Sequence, residues 1–245
     1  MPVFTESMRS HAPRAPSAGT APAPWLAAAR ERLDHGLAAL GLELPRDRRD
    51  ALLRYVALVV RWNAAYNLTA VRDPVEMVRQ HLLDSLAIVP PLLHRLPLAG
   101  ARIVDVGSGA GLPGLVLAIL FPEATIRSVE PVGKKAAFQR QVCMELALTN
   151  VEVIAARAES LQGEADLIVC RAFASLADFV RAAAGFIGPA TRLAAMKGRR
   201  AEVDAELSAL GDRWLADVEP ITVPLLDAQR HLVVLRPAGD APSRA

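Results

Sequence analysis

From Trp25 to Leu40 apolar residues recur at helical spacing and stop at Gly41, where a left-handed cap costs glycine little, so this segment is predicted as a helix. Arg46 to Tyr66 repeats the pattern with Leu52, Leu53, Val56, Val59, Val60 and Trp62 on one side and Arg46, Arg48, Arg49, Arg54 and Arg61 between them. That is a second helix with one wet, basic face. A third is announced by Asp73, Pro74 and Glu76, which supply a cap, a first-turn proline and early negative charge. Its apolar positions continue through Leu82, Leu83 and Leu86 towards the prolines at 90 and 91.

After Gly100 the period changes. Short apolar runs at 102–106, 125–129, 151–154, 167–170 and 192–196 alternate with helical patterns from Leu112, at 134–146, at 176–186 and at 201–210, and a late run follows at 231–235. Strands alternating with helices define an α/β class with a parallel sheet. The helices before it form a cap. The expected divisions are a disordered tail at 1–22, a helical region packed on the core at 23–99, a core at 100–237, and a flexible C-terminus at 238–245.

Composition narrows this only modestly. The chain is 52% hydrophobic and 22% charged, which suits a folded domain with a sizeable core and excludes a disordered chain. Its 28 basic and 26 acidic residues leave +2, so net charge neither declares nor forbids a nucleic-acid partner. All but three of the basic residues are Arg. Cys143 and Cys170 lack the paired spacing of a zinc site or a disulfide framework. No metal site is expected. No apolar run approaches the ~20 residues a membrane span needs, and with no signal-peptide pattern the expected location is the cytoplasm.

The chemistry concentrates at Asp105-Val106-Gly107-Ser108-Gly109-Ala110-Gly111, a glycine turn between a strand and a helix. Lacking Cβ atoms, such a turn lets its backbone amides approach a nucleoside-like ligand closely. Two registers compete. Gly107-Ser108-Gly109-Ala110-Gly111 preceded by Asp105 suits S-adenosylmethionine, while Gly109-Ala110-Gly111-Leu112-Pro113-Gly114 formally matches the dinucleotide fingerprint of an NAD-dependent oxidoreductase. Asp105 favours the first, because a carboxylate there would attract a sulfonium and an ammonium but repel a pyrophosphate. Glu130 closes the next strand, where it could accept ribose hydroxyls of either cofactor. Ala158 and Glu159 follow the third strand, in reach of an adenine edge, and Arg171 ends the fourth at the sheet's carboxyl edge.

Beyond the loop, the chain carries Trp62-Asn63, Asn67-Leu68-Thr69, Arg72-Asp73-Pro74, His81-Leu82-Leu83-Asp84-Ser85, Leu112-Pro113-Gly114, Arg171-Ala172-Phe173-Ala174, Lys197-Gly198 and Arg230-His231-Leu232-Val233-Val234. By these motifs it resembles, over roughly residues 45 to 237, the bacterial ribosomal RNA small subunit methyltransferase G family, also called glucose-inhibited division protein B. The resemblance implies a class I S-adenosylmethionine-dependent methyltransferase fold, Rossmann-like, with a mostly parallel seven-stranded sheet flanked by helices. It also implies methylation of guanine N7 in the 530 loop of 16S ribosomal RNA, free or within the assembled small subunit, with no obligate protein partner.

Cofactor contacts implied at Gly107, Leu112, Ala158, Glu159 and Arg171 join Asp105, Gly109, Gly111 and Glu130. Asn63, Asn67, His81, Asp84 and Lys197 are expected around the substrate, His81 alternatively hydrogen-bonding Asp84. No general base is expected, because N7 has no proton to lose. A non-catalytic ribosome-assembly factor with a vestigial pocket is the remaining alternative. The chain departs from the family at Glu130-Pro131, where Asp-Ser is common, and at Cys170, where a small hydroxyl residue is common.

Overall fold

A computed structural model describes residues 23–239; the tail expected at 1–22 and most of the expected flexible C-terminus lie outside them. The first strands form where the alternation predicts: β1 (Arg102–Val106), β2 (Thr125–Val129), β3 (Val151–Ile154), β4 (Leu167–Arg171) and β5 (Arg192–Lys197). β6 (Trp214–Ile221) and β7 (Arg230–Pro237) complete a sheet of order β3-β2-β1-β4-β5-β7-β6. The first five strands are parallel, and β7 runs antiparallel to both β5 and β6. The hydrophobic pattern did not locate β6, the seventh strand that the family resemblance implied. It is an edge strand, mostly exposed, and contains Pro220, so it lacks both the apolar alternation and the donors that mark a strand from sequence.

Alternate residues of each strand enter opposite cores. Ile103, Ile126, Leu167, Val169, Ala194 and Leu232 face one side, Val104, Val106, Ile168, Cys170, Ala195 and Val233 the other. On the first side lie α6 (Gly114–Leu120) and α7 (Gly133–Leu146), with the N-terminal helices α1 (Leu26–Ala39) and α2 (Arg46–Tyr66) sharing their core through Leu33, Leu52, Tyr55 and Val56. Each such fully buried side chain contributes about 1.5–3 kcal/mol, so these helices are part of the fold's stability. α8 (Leu176–Ala183) and α9 (Arg200–Leu210) cover the second side.

The segment expected as one third helix is broken up. α3 (Pro74–Met77) is capped by Asp73, whose side chain accepts the N–H groups of Val75 and Glu76. A π-helical turn, Val78–Leu83, follows, then α4 (Asp84–Leu86). Pro90 and Pro91 do not terminate it; they stand in the first turn of α5 (Val89–Leu93), where a missing N–H is harmless.

The basic face of α2 is largely neutralised. Arg46 pairs with Asp50, Arg48 with Asp47, Arg49 with Asp34 and Arg61 with Glu145, while Arg54 donates to the Glu145 carbonyl. Arg49 ties α2 to α1, Arg54 and Arg61 tie it to α7, and the face offers little unbalanced field. Among the described residues no helix is long and apolar enough to cross a membrane, and no cluster of His, Cys, Asp or Glu could hold a metal ion.

Candidate cofactor site

The sheet order reverses between β1 and β4, and the loops leaving their carboxyl ends diverge into a crevice there. Two cavities open at this edge. One of about 580 Å³ is walled by Val106, Val129, Pro131, Val132 and Phe173, with Ala158 and Glu159 at its rim. The other, of about 490 Å³, is lined by Gly107, Glu159, Arg171 and Phe173 with Asp178 and Arg181. Both volumes lie in the range of small-ligand pockets. Phe173 stands between them, and Gly107 and Glu159 border both.

The loop itself is more self-contained than its glycines suggest. Gly107, Gly109 and Gly111 all take left-handed φ angles, of 67°, 61° and 87°. Gly107 and Ser108 donate to the Val129 carbonyl, Gly111 and Leu112 to that of Ser108, and Gly109 to the Glu130 carboxylate at 2.7 Å. Those amides, expected to meet a ligand, are consumed within the protein. Gln139, buried, donates to Ser108 Oγ and the Gly109 carbonyl and accepts from Ser128, while the Tyr55 hydroxyl donates to the Ala110 carbonyl at 2.9 Å. A turn so braced offers a pre-set shape, and Gly107 is the residue it presents to the cavities.

The acidic residues expected to face the ligand turn inward. Asp105 is fully buried and accepts the Gly114 N–H at 2.8 Å. That contact explains the glycine at 114, since a Cβ there would stand 2.6 Å from the same carboxylate oxygen. Glu130 is likewise buried, and its carboxylate accepts both Gly109 and its own turn at Val132. The longer side chain at this position reaches both amides and braces the loop. Partly exposed Gly109 and buried Gly111 and Leu112, like these two, line neither cavity. Gly107, Ala158, Glu159 and Arg171 are the nominated cofactor residues that border open space.

The five residues expected around the substrate separate differently. Asn63 is buried, accepting the Thr69 N–H and donating to the Val71 carbonyl, so its amide shapes the loop after α2. Asn67 caps α2 in a left-handed conformation and accepts from Arg72. His81 bonds Thr69 through Nε2 at 2.9 Å, not Asp84, because the wider π-helical winding turns residues three apart away from each other. Lys197 is paired with Glu206 at 2.8 Å, and Glu206 also accepts the Leu176 N–H, tying β5 to the start of α8. Asp84 is buried and accepts Arg171 on one oxygen and Arg230 on the other, at 3.1 and 3.0 Å.

Arg171 reaches this position through an unusual turn. Ala172 takes a left-handed φ of 61°, a strain of about 1–2 kcal/mol for a residue with a Cβ. It separates Arg171, which also donates to the Gln80 carbonyl of the π-turn, from Phe173 beside Gly107. Sequence reading quoted Phe173 within a motif but assigned it no role, and missed Val132 altogether. Val132 is an exposed large hydrophobic residue, a property that shows only in the fold.

Two buried groups carry opposing protonation preferences. Burial raises the Asp105 carboxyl to about 7, and burial together with the Arg171 guanidinium lowers His81 to about 4. Between those values and their ordinary ones, 3.8 and 6.5, the folded chain keeps an aspartate proton that the unfolded chain has released. It also lacks a histidine proton that the unfolded chain binds. Stability therefore falls with rising pH through Asp105 and rises through His81, and the two slopes oppose. Asp105→Asn removes the first, and its stability is expected to climb by about 1.4 kcal/mol per pH unit across that window. Urea unfolding at several pH values checks this; profiles of wild type and variant that run parallel would refute it.

A switch-point crevice beneath a glycine loop, on a sheet whose last two strands are antiparallel, defines a class I methyltransferase fold of the S-adenosylmethionine-dependent kind. Solved structures share it: a methyltransferase of that kind from Aquifex aeolicus aligns with a TM-score of 0.51 and 16% identity over 67% of this chain and 94% of its own. Magnesium protoporphyrin IX methyltransferase from Synechocystis PCC 6803, solved with S-adenosylmethionine bound, gives 0.51 and 15% over 74% and 97%. The more specific match is by sequence. The family model for rRNA small subunit methyltransferase G covers residues 48–233, and the chain belongs to that family. It is 47% identical over 214 residues to ribosomal RNA small subunit methyltransferase G of Polaromonas naphthalenivorans (strain CJ2), covering 86% of this chain and 96% of the relative. The Burkholderia thailandensis relative is 49% identical over 208 residues, 82% and 88% of the two chains. Neither the oxidoreductase nor the non-catalytic alternative finds support among these relatives.

Proposed function

We propose that this chain transfers a methyl group from S-adenosylmethionine to N7 of a guanine in the 530 loop of 16S ribosomal RNA, in the cytoplasm, where small subunits are built. The observation that carries the reading is the pair of cavities sharing Gly107, one walled by Val106, Val129, Pro131 and Val132 with Glu159 at its rim, the other lined by Arg171. Family membership supplies the substrate class.

The residues suit the cofactor chemically. Val106, Val129, Pro131 and Val132 offer apolar walls for a nucleoside, and the exposed Glu159 carboxylate an acceptor for an exocyclic amine. When bound, S-adenosylmethionine supplies an electrophilic methyl group on its sulfonium. Guanine N7 attacks with an in-plane lone pair, so the protein's task is alignment and exclusion of water. Gly107 and Phe173 line both cavities, and Arg171, fixed by Asp84 and Gln80, sets a positive charge on the substrate side. In that division of labour Asp105, Gly109, Gly111, Leu112 and Glu130 hold the loop, while Asn63, Asn67, His81 and Lys197 hold the surrounding turns.

N7 faces the major groove, which is deep and narrow in A-form RNA, so the target must be unpaired or presented by a folded particle. Labelled cofactor incubated with deproteinised 16S RNA and with assembled small subunits, followed by nucleoside analysis, tests the reading. Label is expected as 7-methylguanosine in at least one of them; its absence from both would overturn the proposal.

A further inference from the structure

Of the motif Arg230-His231, only the contact of Arg230 with Asp84 belongs to the site described so far. Because β7 runs antiparallel to β5, with His231 opposite Lys197, its first residue emerges at the carboxyl edge of the sheet beside the cofactor crevice. There a third cavity, of about 410 Å³, opens between the β6–β7 connection and the start of α9. Arg230 and Arg200 line it with Gln229 and His231, over a floor that includes buried Ile221 and Val223; Asp227 is exposed at its edge.

The walls are fixed from several directions. His231 bonds the Gly198 carbonyl through Nδ1 at 2.6 Å, which leaves its other ring nitrogen without that duty. Arg79, from the π-turn, donates to the Leu225 carbonyl and pins the connection. Arg230 donates through Nε to Asp84 at 3.0 Å and through Nη1 to the Gln229 carbonyl at 3.1 Å. Asp84 thus grips Arg171 with one oxygen and Arg230 with the other, at 6% side-chain exposure. One carboxylate holding two guanidinium groups leaves one positive charge uncompensated, and a partly buried cation without its anion is costly. By contrast Arg200 is largely exposed and spends its Nε on Asp204.

We propose that this third cavity binds a backbone phosphate and its sugar from a nucleotide adjoining the target guanosine, with Arg230 as the principal anion contact and Arg200 on the opposite wall. Asp84 then sets the separation between the arginine of the reacting cavity and the arginine of the phosphate subsite. This rests on the RNA reading above. It gives the substrate two fixed points, one at the base and one on the chain, as a strand splayed for reaction requires.

Steady-state methylation of 16S RNA, in free or particle form, by the full chain at several salt concentrations tests it. Arg230→Ala is expected to raise KM for RNA about tenfold and to flatten the dependence of log KM on log salt by about one, the signature of a single lost phosphate contact. Affinity for S-adenosylhomocysteine, read by calorimetry, should stay at the wild-type value. Arg230→Lys should restore the salt slope, which a purely structural role would not predict. Arg200→Ala, at an exposed side chain that folding does not need, should shift KM in the same direction by a smaller factor and decides the matter if the first variant does not fold. Wild-type KM and slope in both alanine variants would overturn the subsite while leaving RNA methylation intact; failure of the wild-type chain to label RNA at all would remove both.

Discussion

Gly107→Val is expected to reduce affinity for S-adenosylmethionine and S-adenosylhomocysteine at least about 100-fold, or roughly 2.7 kcal/mol. Two independent costs combine at this position. The backbone there has a φ of 67°, a conformation that a β-branched residue adopts only under strain. A Cβ would also sit 2.9 Å from the Phe173 ring, displacing a side chain that lines both cavities. Gly109 provides the control, because its φ is 61° but nothing lies nearer its absent Cβ than the Gly107 carbonyl at 4.0 Å. Alanine at 109 should therefore show the backbone strain alone, about tenfold in affinity if the roughly 1–2 kcal/mol of a left-handed L-residue acts on the bound state. Isothermal calorimetry, with circular dichroism to establish that the variants fold, makes the comparison. Equal losses at 107 and 109 would sink the steric half of the argument. A companion Phe173→Ala should recover that half and leave the strain.

The same loop shows where sequence reading reaches and where it stops. The glycine pattern located the turn, and the strand alternation located β1 to β5 within a residue at their ends, because both are local consequences of Cβ geometry and burial. What spacing cannot encode is which way a buried carboxylate points. Asp105 and Glu130 read as ligand contacts because acids at strand ends usually face open crevices, yet each is claimed by backbone amides folded back over it. β6 escaped notice because an exposed edge strand needs no apolar face. The π-turn at Val78–Leu83 escaped too, since its apolar residues satisfy an α-helical period equally well, and only the backbone bonding, with the Asp84 N–H reaching the Arg79 carbonyl, reveals the wider winding. Lys197 was expected around the substrate, and the distant Glu206 that pairs with it could not be foreseen.

Asp84→Ala is expected to cost about 3 kcal/mol of stability, the low end for removing one partner of a buried ion pair. The low end applies because Arg171 and Arg230 retain 22% and 31% side-chain exposure and can turn partly towards water. Activity should fall further than stability, since both arginines lose their anchor at once. A double-mutant cycle separates the two contacts: Asp84 with Arg171, then Asp84 with Arg230, each read by urea unfolding and by turnover. If Asp84 acts as a single strut between two cavities, coupling to Arg171 should appear mainly in kcat and coupling to Arg230 mainly in KM for RNA. Asp84→Asn sharpens the test, because it keeps one acceptor oxygen but cannot serve two guanidinium groups with equal charge. Its defect should resemble the loss of one arginine contact, whereas a carboxylate that merely filled space would be replaced by the amide without effect on either constant.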